Sequence, residues 1–265
     1  MNTRGRGDGL CIMDTEQHYD LLWANTPVRR PKSWRSWSII KEYVQEGSPI
    51  LELGPGTRPR FPLTPSTTAI DLSPSTAIAL RRFGVQAMVG NLEKPLPFPD
   101  GAFTAVGAFD VIEHMKDDER LLSEIARVLV AGGYFLCSVP LHMEYWTLWD
   151  KFVGHYRRYE PQALFAQARR HGLLTKAAYP SEGIFQFLAT TIIAHPFAML
   201  CVAAMRFTPR LARAGERFLV VPLLRSSSLP PRRRSHRAID MSKSFPRRCP
   251  HALFVFQKGG TKEEE

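Results

Sequence analysis

An α/β fold built on a doubly wound, mostly parallel sheet is predicted by three features of this 265-residue chain. Short apolar runs of strand length alternate with amphipathic helical stretches over about 140 residues. Several of those runs end in glycine, acid or amide residues, at the carboxyl ends where such sheets carry their ligand loops. The composition is globular, with 44% hydrophobic and 23% charged residues, which excludes wholesale disorder and collagen-like or disulfide-rich architectures.

The elements follow in order. Ile50 to Leu53 is apolar and stops at Gly54, as a buried parallel strand does. In TTAIDLSP a second strand ends at Asp71, and Ser73 with Pro74 then caps and opens a helix to about Phe83. Fourteen residues separate Gly56 from Asp71, and Pro59, Pro62 and Pro65 punctuate them, so an extended crossover is expected in place of a first helix. VQAMVGN forms a third strand ending near Asn91, and FTAVGAF a fourth ending near Phe109. Asp117 caps the next helix, where Leu121, Leu122, Ile125, Val128 and Leu129 recur at helical spacing until Gly132-Gly133 is expected to stop it. YFLCSVP is the fifth strand, Glu160-Pro161 opens a helix ending at His171-Gly172, LLTKAAYP is a sixth strand, and ALFVFQK reads as a closing edge strand. Residues 1–183 thus make the core with an amino-terminal lid, 184–248 an insertion, and 249–265 the last strand and a polar tail.

Glu52-Leu53-Gly54-Pro55-Gly56 puts an acid at a strand end and two glycines in the turn after it, where backbone amides can approach a ligand. A dinucleotide fingerprint needs a third glycine where Pro59 stands, which argues against a nicotinamide cofactor. Taken in order, ELGPGT, AIDLS, GNLEKPLPFPDGAF, FDVIEH and EIARVLVAGGYFLCSVP resemble a class I S-adenosylmethionine-dependent methyltransferase of the type-11 small-molecule family. The resemblance covers about a third of the chain and implies a seven-stranded sheet whose seventh strand is antiparallel. It also implies S-adenosyl-L-methionine as cofactor. Gly54 and Gly56 would lie against its methionine part, and Glu52 would anchor the loop or reach the amino group through water. Asp71, with Leu72 beside it, would take the ribose hydroxyls, Asn91 and Leu92 the adenine, and Ala108 and Phe109 the methyl-bearing sulfur. The chain departs from the family at Arg58, where glycine is usual and where an arginine can meet the cofactor carboxylate, and at Asn91, which replaces an aspartate.

Glu113-His114 stands where acceptors approach in this family, and an imidazole titrating near its ordinary value would take a proton from an oxygen or nitrogen nucleophile. His155, Tyr156, Arg157, Arg158 and Tyr159 in WDKFVGHYRRYEP either recognise an anionic or hydroxylated acceptor or form a solvated helix-entry loop. His114, His155 and Tyr156 are accordingly the catalytic candidates. Tyr19, Trp23 and Trp34 are either a lid over the cofactor or apolar anchors, with the lid favoured for Tyr19. Cys11, Cys137, Cys201 and Cys249 form no C-x-x-C pair, and no Cys/His spacing suggests a metal.

The net charge of +10 is largely local, since Arg225 to Arg248 holds eight basic residues and one acid. Ile184 to Met205 lacks Asp, Glu, Lys and Arg but contains Pro196 and His195, which favours two short helices that cap the substrate site or touch lipid over a single bilayer crossing. The arginines after it suit an anionic membrane surface, and nucleic acid is disfavoured because no recognition element accompanies them. The amino terminus lacks the apolar core of a secretory signal, so a cytoplasmic location, peripheral on a membrane if the insertion contacts lipid, is expected. The reading is a methyltransferase for a small-molecule or lipid-like acceptor. Its competitor is a non-catalytic cofactor-binding accessory protein at a membrane surface.

Overall fold

The computed structural model describes residues 26–182, 238 and 245–260. Tyr19, Trp23, the apolar stretch 184–205, the arginine-rich segment 225–237 and the polar tail 261–265 lie outside the described residues. Seven strands form one sheet in the order β3-β2-β1-β4-β5-β7-β6: β1 Ile50–Leu53, β2 Thr67–Asp71, β3 Gln86–Val89, β4 Phe103–Phe109, β5 Leu129–Pro140, β6 Leu173–Glu182 and β7 His251–Lys258. The first five run parallel, whereas β7 is antiparallel to both of its neighbours. It is therefore no edge strand. Ala252, Leu253, Phe254, Val255 and Phe256 are all buried, and such a run needs partners on both sides, which β5 and β6 supply.

Alternation along the strands separates two apolar faces. On one face, Leu51, Leu53, Ile70 and Val106 pack with Leu121, Leu122 and Ile125 of helix α3, Asp118–Val128, and Leu164 and Ala168 of helix α5, Pro161–Arg170. On the other, Ile50, Ala105 and Val255 pack with Phe61 of the crossover and with Ile39 and Ile40 of helix α1, Trp37–Tyr43. Helix α2, Pro74–Arg81, lays Ala77 and Leu80 on Ala69 and Ala87.

Local chemistry explains the boundaries. Ser73 Oγ accepts the Thr76 N–H at 3.2 Å with Pro74 at the first turn, and Asp117 Oδ1 accepts the Arg120 N–H at 3.0 Å. Residues 57–66 contain no helix, as the prolines predict. Helix α3 stops at Val128, earlier than expected. The chain passes directly into β5, and Gly132-Gly133 lies instead within a register shift between the Phe103–Leu129 and Ala105–Tyr134 pairs. A six-residue helix, α4 Leu148–Val153, which the sequence did not announce, opens the WDKFVGHYRRYEP segment; a reciprocal Thr147–Asp150 box starts it and left-handed Gly154 closes it.

Candidate active site at the carboxyl ends of the strands

The turn after β1 is held from both sides by carboxylates. Glu52, buried on the strand, accepts the Arg60 N–H at 2.7 Å and the Phe61 N–H at 3.1 Å. Burial pushes its carboxyl up to about 7 against the pull of those two amides. Asp71, buried at the tip of β2, accepts the Gly56 N–H at 2.8 Å and the Ser73 N–H at 2.9 Å, so it ties the turn to the start of α2. Gly54 and Gly56 have φ of 57° and 53°, and a Cβ on Gly54 would come within 3.0 Å of Val111.

Three guanidinium groups, Arg29, Arg58 and Arg60, crowd the crossover. Burial and then the charges of Arg60 and Arg29 lower Arg58 to about 10. Trp34 organises them: Arg29 and Arg60 lie over its ring at 3.8 and 3.7 Å, and its indole N–H donates to Pro59 O at 3.0 Å. Trp34 is thus a buried anchor. Asp110, just past β4, has a φ of 59°, a conformation disfavoured for a non-glycine residue. It faces Arg60 at 3.9 Å, accepts from Ser138 Oγ at 3.0 Å and pairs with His251 Nε2 at 2.6 Å. Desolvation works to raise its carboxyl, but His251, then Arg60 and Ser138, hold it well below the usual range.

The other cofactor candidates divide between lining and packing. Leu72 is half-buried beside Asp71, and exposed Asn91 accepts the Glu93 N–H at 2.8 Å to shape its own turn. Leu92 is buried in the core of the α3 face. Ala108 lies with it in that core, and Phe109 packs edge-on against Phe61 with centroids 5.7 Å apart on the opposite face. Their side chains are therefore used for packing, and the site receives the strand end they form.

Beyond β4, the 3-10 turn Ile112–His114 meets the end of α4. His114 and His155 contact edge-to-face at 4.5 Å. Burial first and His155 second lower His114 to about 3, so it stays neutral through the physiological range and lacks the mid-range titration expected of it. Glu113 is fully buried, and neither of its carboxylate oxygens has a hydrogen-bond partner on another residue; burial, then the charge of Asp110, raises it well above its ordinary value. Ligand atoms of Glu113, His114 and His155 all lie within 4.8 Å of one another. That grouping was not readable from Cys/His spacing because His155 arrives from a different loop.

Of the WDKFVGHYRRYEP candidates, only Tyr156 is strongly exposed, at 58%. Arg158 is buried in a fork on Asp150, with Nε at 2.9 Å and Nη2 at 3.0 Å, and Tyr159 donates to Asp118 at 2.7 Å. Asp150 also takes His155 Nδ1 at 2.8 Å. Arg60, Asp110 and Asp150 are site residues that the sequence reading missed. Asp110 lay inside the FDVIEH signature, and Asp150 was marked only by its helix-capping spacing to Thr147.

Residues 51–137 match the family model described as a methyltransferase domain. The demethylmenaquinone methyltransferase of Thermus thermophilus is 32% identical over 126 residues, covering 43% of this chain and 57% of that protein. A chain of the complex between the Haloferax volcanii Trm112 methyltransferase activator and a methyltransferase superposes with a TM-score of 0.55 at 19% identity, covering 95% of this chain and 100% of that one. Phosphoethanolamine N-methyltransferase 2 of Haemonchus contortus, solved with phosphomonomethylethanolamine and S-adenosylhomocysteine, gives 0.55 at 18% identity, with 93% and 58% covered. The chain spans 60% or less of the first curated relatives it matches. Residues 51–137 thus match the methyltransferase-domain family, within a sheet that has the class I S-adenosylmethionine-dependent methyltransferase fold.

Proposed function

We propose that the chain transfers a methyl group from S-adenosyl-L-methionine to a small-molecule or lipid-like acceptor. The observation that carries this reading is Asp71, buried at the tip of β2 and joined to the glycine turn beside three crowded guanidinium groups. An ionised carboxylate suits a vicinal diol, and guanidinium groups suit the carboxylate of an amino acid, so the two ends of one nucleoside-amino-acid conjugate are matched. Asp71 would hold the ribose, Arg58 and Arg60 the carboxylate, and Gly54 and Gly56 the chain between. Leu72 and Asn91 would border the adenine, with the Leu92 side chain packed in the core behind them. The bound cofactor supplies a methyl already activated by its sulfonium, so the chain's task is alignment and exclusion of water.

The acceptor would enter over Tyr156 toward His114 and His155. The quinone and phosphobase named for the similar proteins support an acceptor of small-molecule or lipid-like size. The same reading extends to a cytoplasmic, peripheral association through residues 184–237. Liposome flotation is expected to weaken when that stretch is deleted, and equal flotation of both proteins removes the association. Calorimetry with S-adenosylhomocysteine, paired with labelled-methyl transfer to candidate acceptors, tests the activity. Binding with turnover on an acceptor supports it, and binding without turnover on any acceptor favours the accessory role.

A further inference from the structure

We propose that Glu113, His114 and His155 form a binding site for a single divalent transition-metal ion of the zinc class. The Glu113 carboxylate is fully buried and neither oxygen has a hydrogen-bond partner on another residue, which is costly unless a cation or proton meets it. Two imidazoles meet it instead. His155 Nε2 stands 3.8 Å from Glu113 Oε1, and one ligand atom from each of the three residues falls within 4.8 Å of the others. With metal–ligand bonds of about 2.0–2.2 Å, donors around one ion are about 3.0–3.5 Å apart, so closure needs roughly an ångström of side-chain movement.

The surroundings point the donors inward. Asp150 is fixed by the Arg158 fork and by Thr147, and a carboxylate only accepts, so His155 Nδ1 must donate to it at 2.8 Å. That leaves Nε2 as the ring nitrogen facing Glu113, and in the neutral ring it carries the lone pair, the carboxylate–histidine arrangement that commonly supports a metal ligand. The Gly154 backbone likewise hydrogen-bonds His114. Two imidazole nitrogens and one carboxylate oxygen favour zinc, cobalt, manganese or iron over calcium and magnesium, and three protein ligands leave positions open.

An open position beside the acceptor entry implies an acceptor bearing a hydroxyl. Its proton would pass to water, its oxygen would bond to the methyl carbon, and the carbon–sulfur bond would break with its electrons on sulfur. That role rests on the methyl-transfer reading; the site itself does not.

The test uses the full chain, stripped with a chelator and dialysed, then titrated with Co²⁺ and with Zn²⁺. Expected are visible absorption bands saturating at one equivalent of Co²⁺, displacement by one equivalent of Zn²⁺, and a loss of Zn²⁺ affinity of about 100-fold or more in Glu113→Gln and His155→Asn. Glu113→Gln and His155→Asn remove different ligands, so lost affinity in either variant that keeps a cooperative thermal transition reads on the site rather than on the fold. Metal uptake by a chain that does not bind S-adenosylhomocysteine would uphold the site and remove the methyl-transfer role. Absence of stoichiometric uptake, or affinity kept within about threefold in His155→Asn, overturns the site.

Discussion

Glu52 and Asp71 grip the two sides of one turn but answer differently to pH. The Glu52 carboxyl is raised from 4.5 to about 7 by burial, so the folded state binds more protons than the unfolded chain between those values. Its contribution to stability is greatest below pH 4.5 and is lost as pH rises to about 7, a change of about 3 kcal/mol. Denaturant unfolding at pH 5 and pH 8 should therefore show a fall in the parent that is smaller in Glu52→Gln. The amide also leaves one of the Arg60 and Phe61 donors poorly matched, so the variant should be less stable at pH 5. At Gly107 a Cβ would stand 2.7 Å from Phe109 and 2.8 Å from Phe61, and Gly107→Ala should cost about 1–3 kcal/mol. Glu52, Gly54, Gly56 and Asp71 were legible because their meaning is local: acid, glycine, strand end. Arg60 and Asp110 were not, since their pairing joins the crossover to the end of β4 across 50 positions of sequence.

The missing first helix is replaced by something the prolines could announce but not describe. Trp34 lies between two arginines and donates to Pro59, while Arg29 N–H reaches Thr57 O at 2.8 Å, so the amino-terminal segment braces the crossover. Trp34→Ala should lose about 3–5 kcal/mol, and it should weaken S-adenosylhomocysteine binding by loosening the arginines. Phe remains large and apolar but has no donor for Pro59; Trp34→Phe should recover much of the stability. The starts of α2 and α3 were readable from their caps, and Ser73→Ala should cost about 1 kcal/mol. Their ends were harder. Gly132-Gly133 looked like a stop signal, yet the parallel ladder to β4 takes over at Leu129, and the pair is absorbed into the register shift.

In the whole molecule, the sheet order follows from a strand that enters last and sits inside. The apolar run of β7 announced a strand, and the family resemblance implied its antiparallel sense; its position between β5 and β6 is a tertiary fact with no local signal. Ending the chain before His251 would strip both neighbours of a ladder and expose Phe254 and Phe256, so the truncated protein is expected to be insoluble or to lack a cooperative thermal transition. Two apolar faces and a parallel order around β1 and β4 bring the glycine turn, Asp71 and the His114–His155 pair to the same end of the sheet. The most direct check on the account is calorimetric titration of the full chain and of Asp71→Ala with S-adenosylhomocysteine. Losing a charged hydrogen-bonding partner should lower affinity by about 10–100-fold while the fold persists by circular dichroism. No binding by the parent, or equal binding by a folded Asp71→Ala, would contradict it.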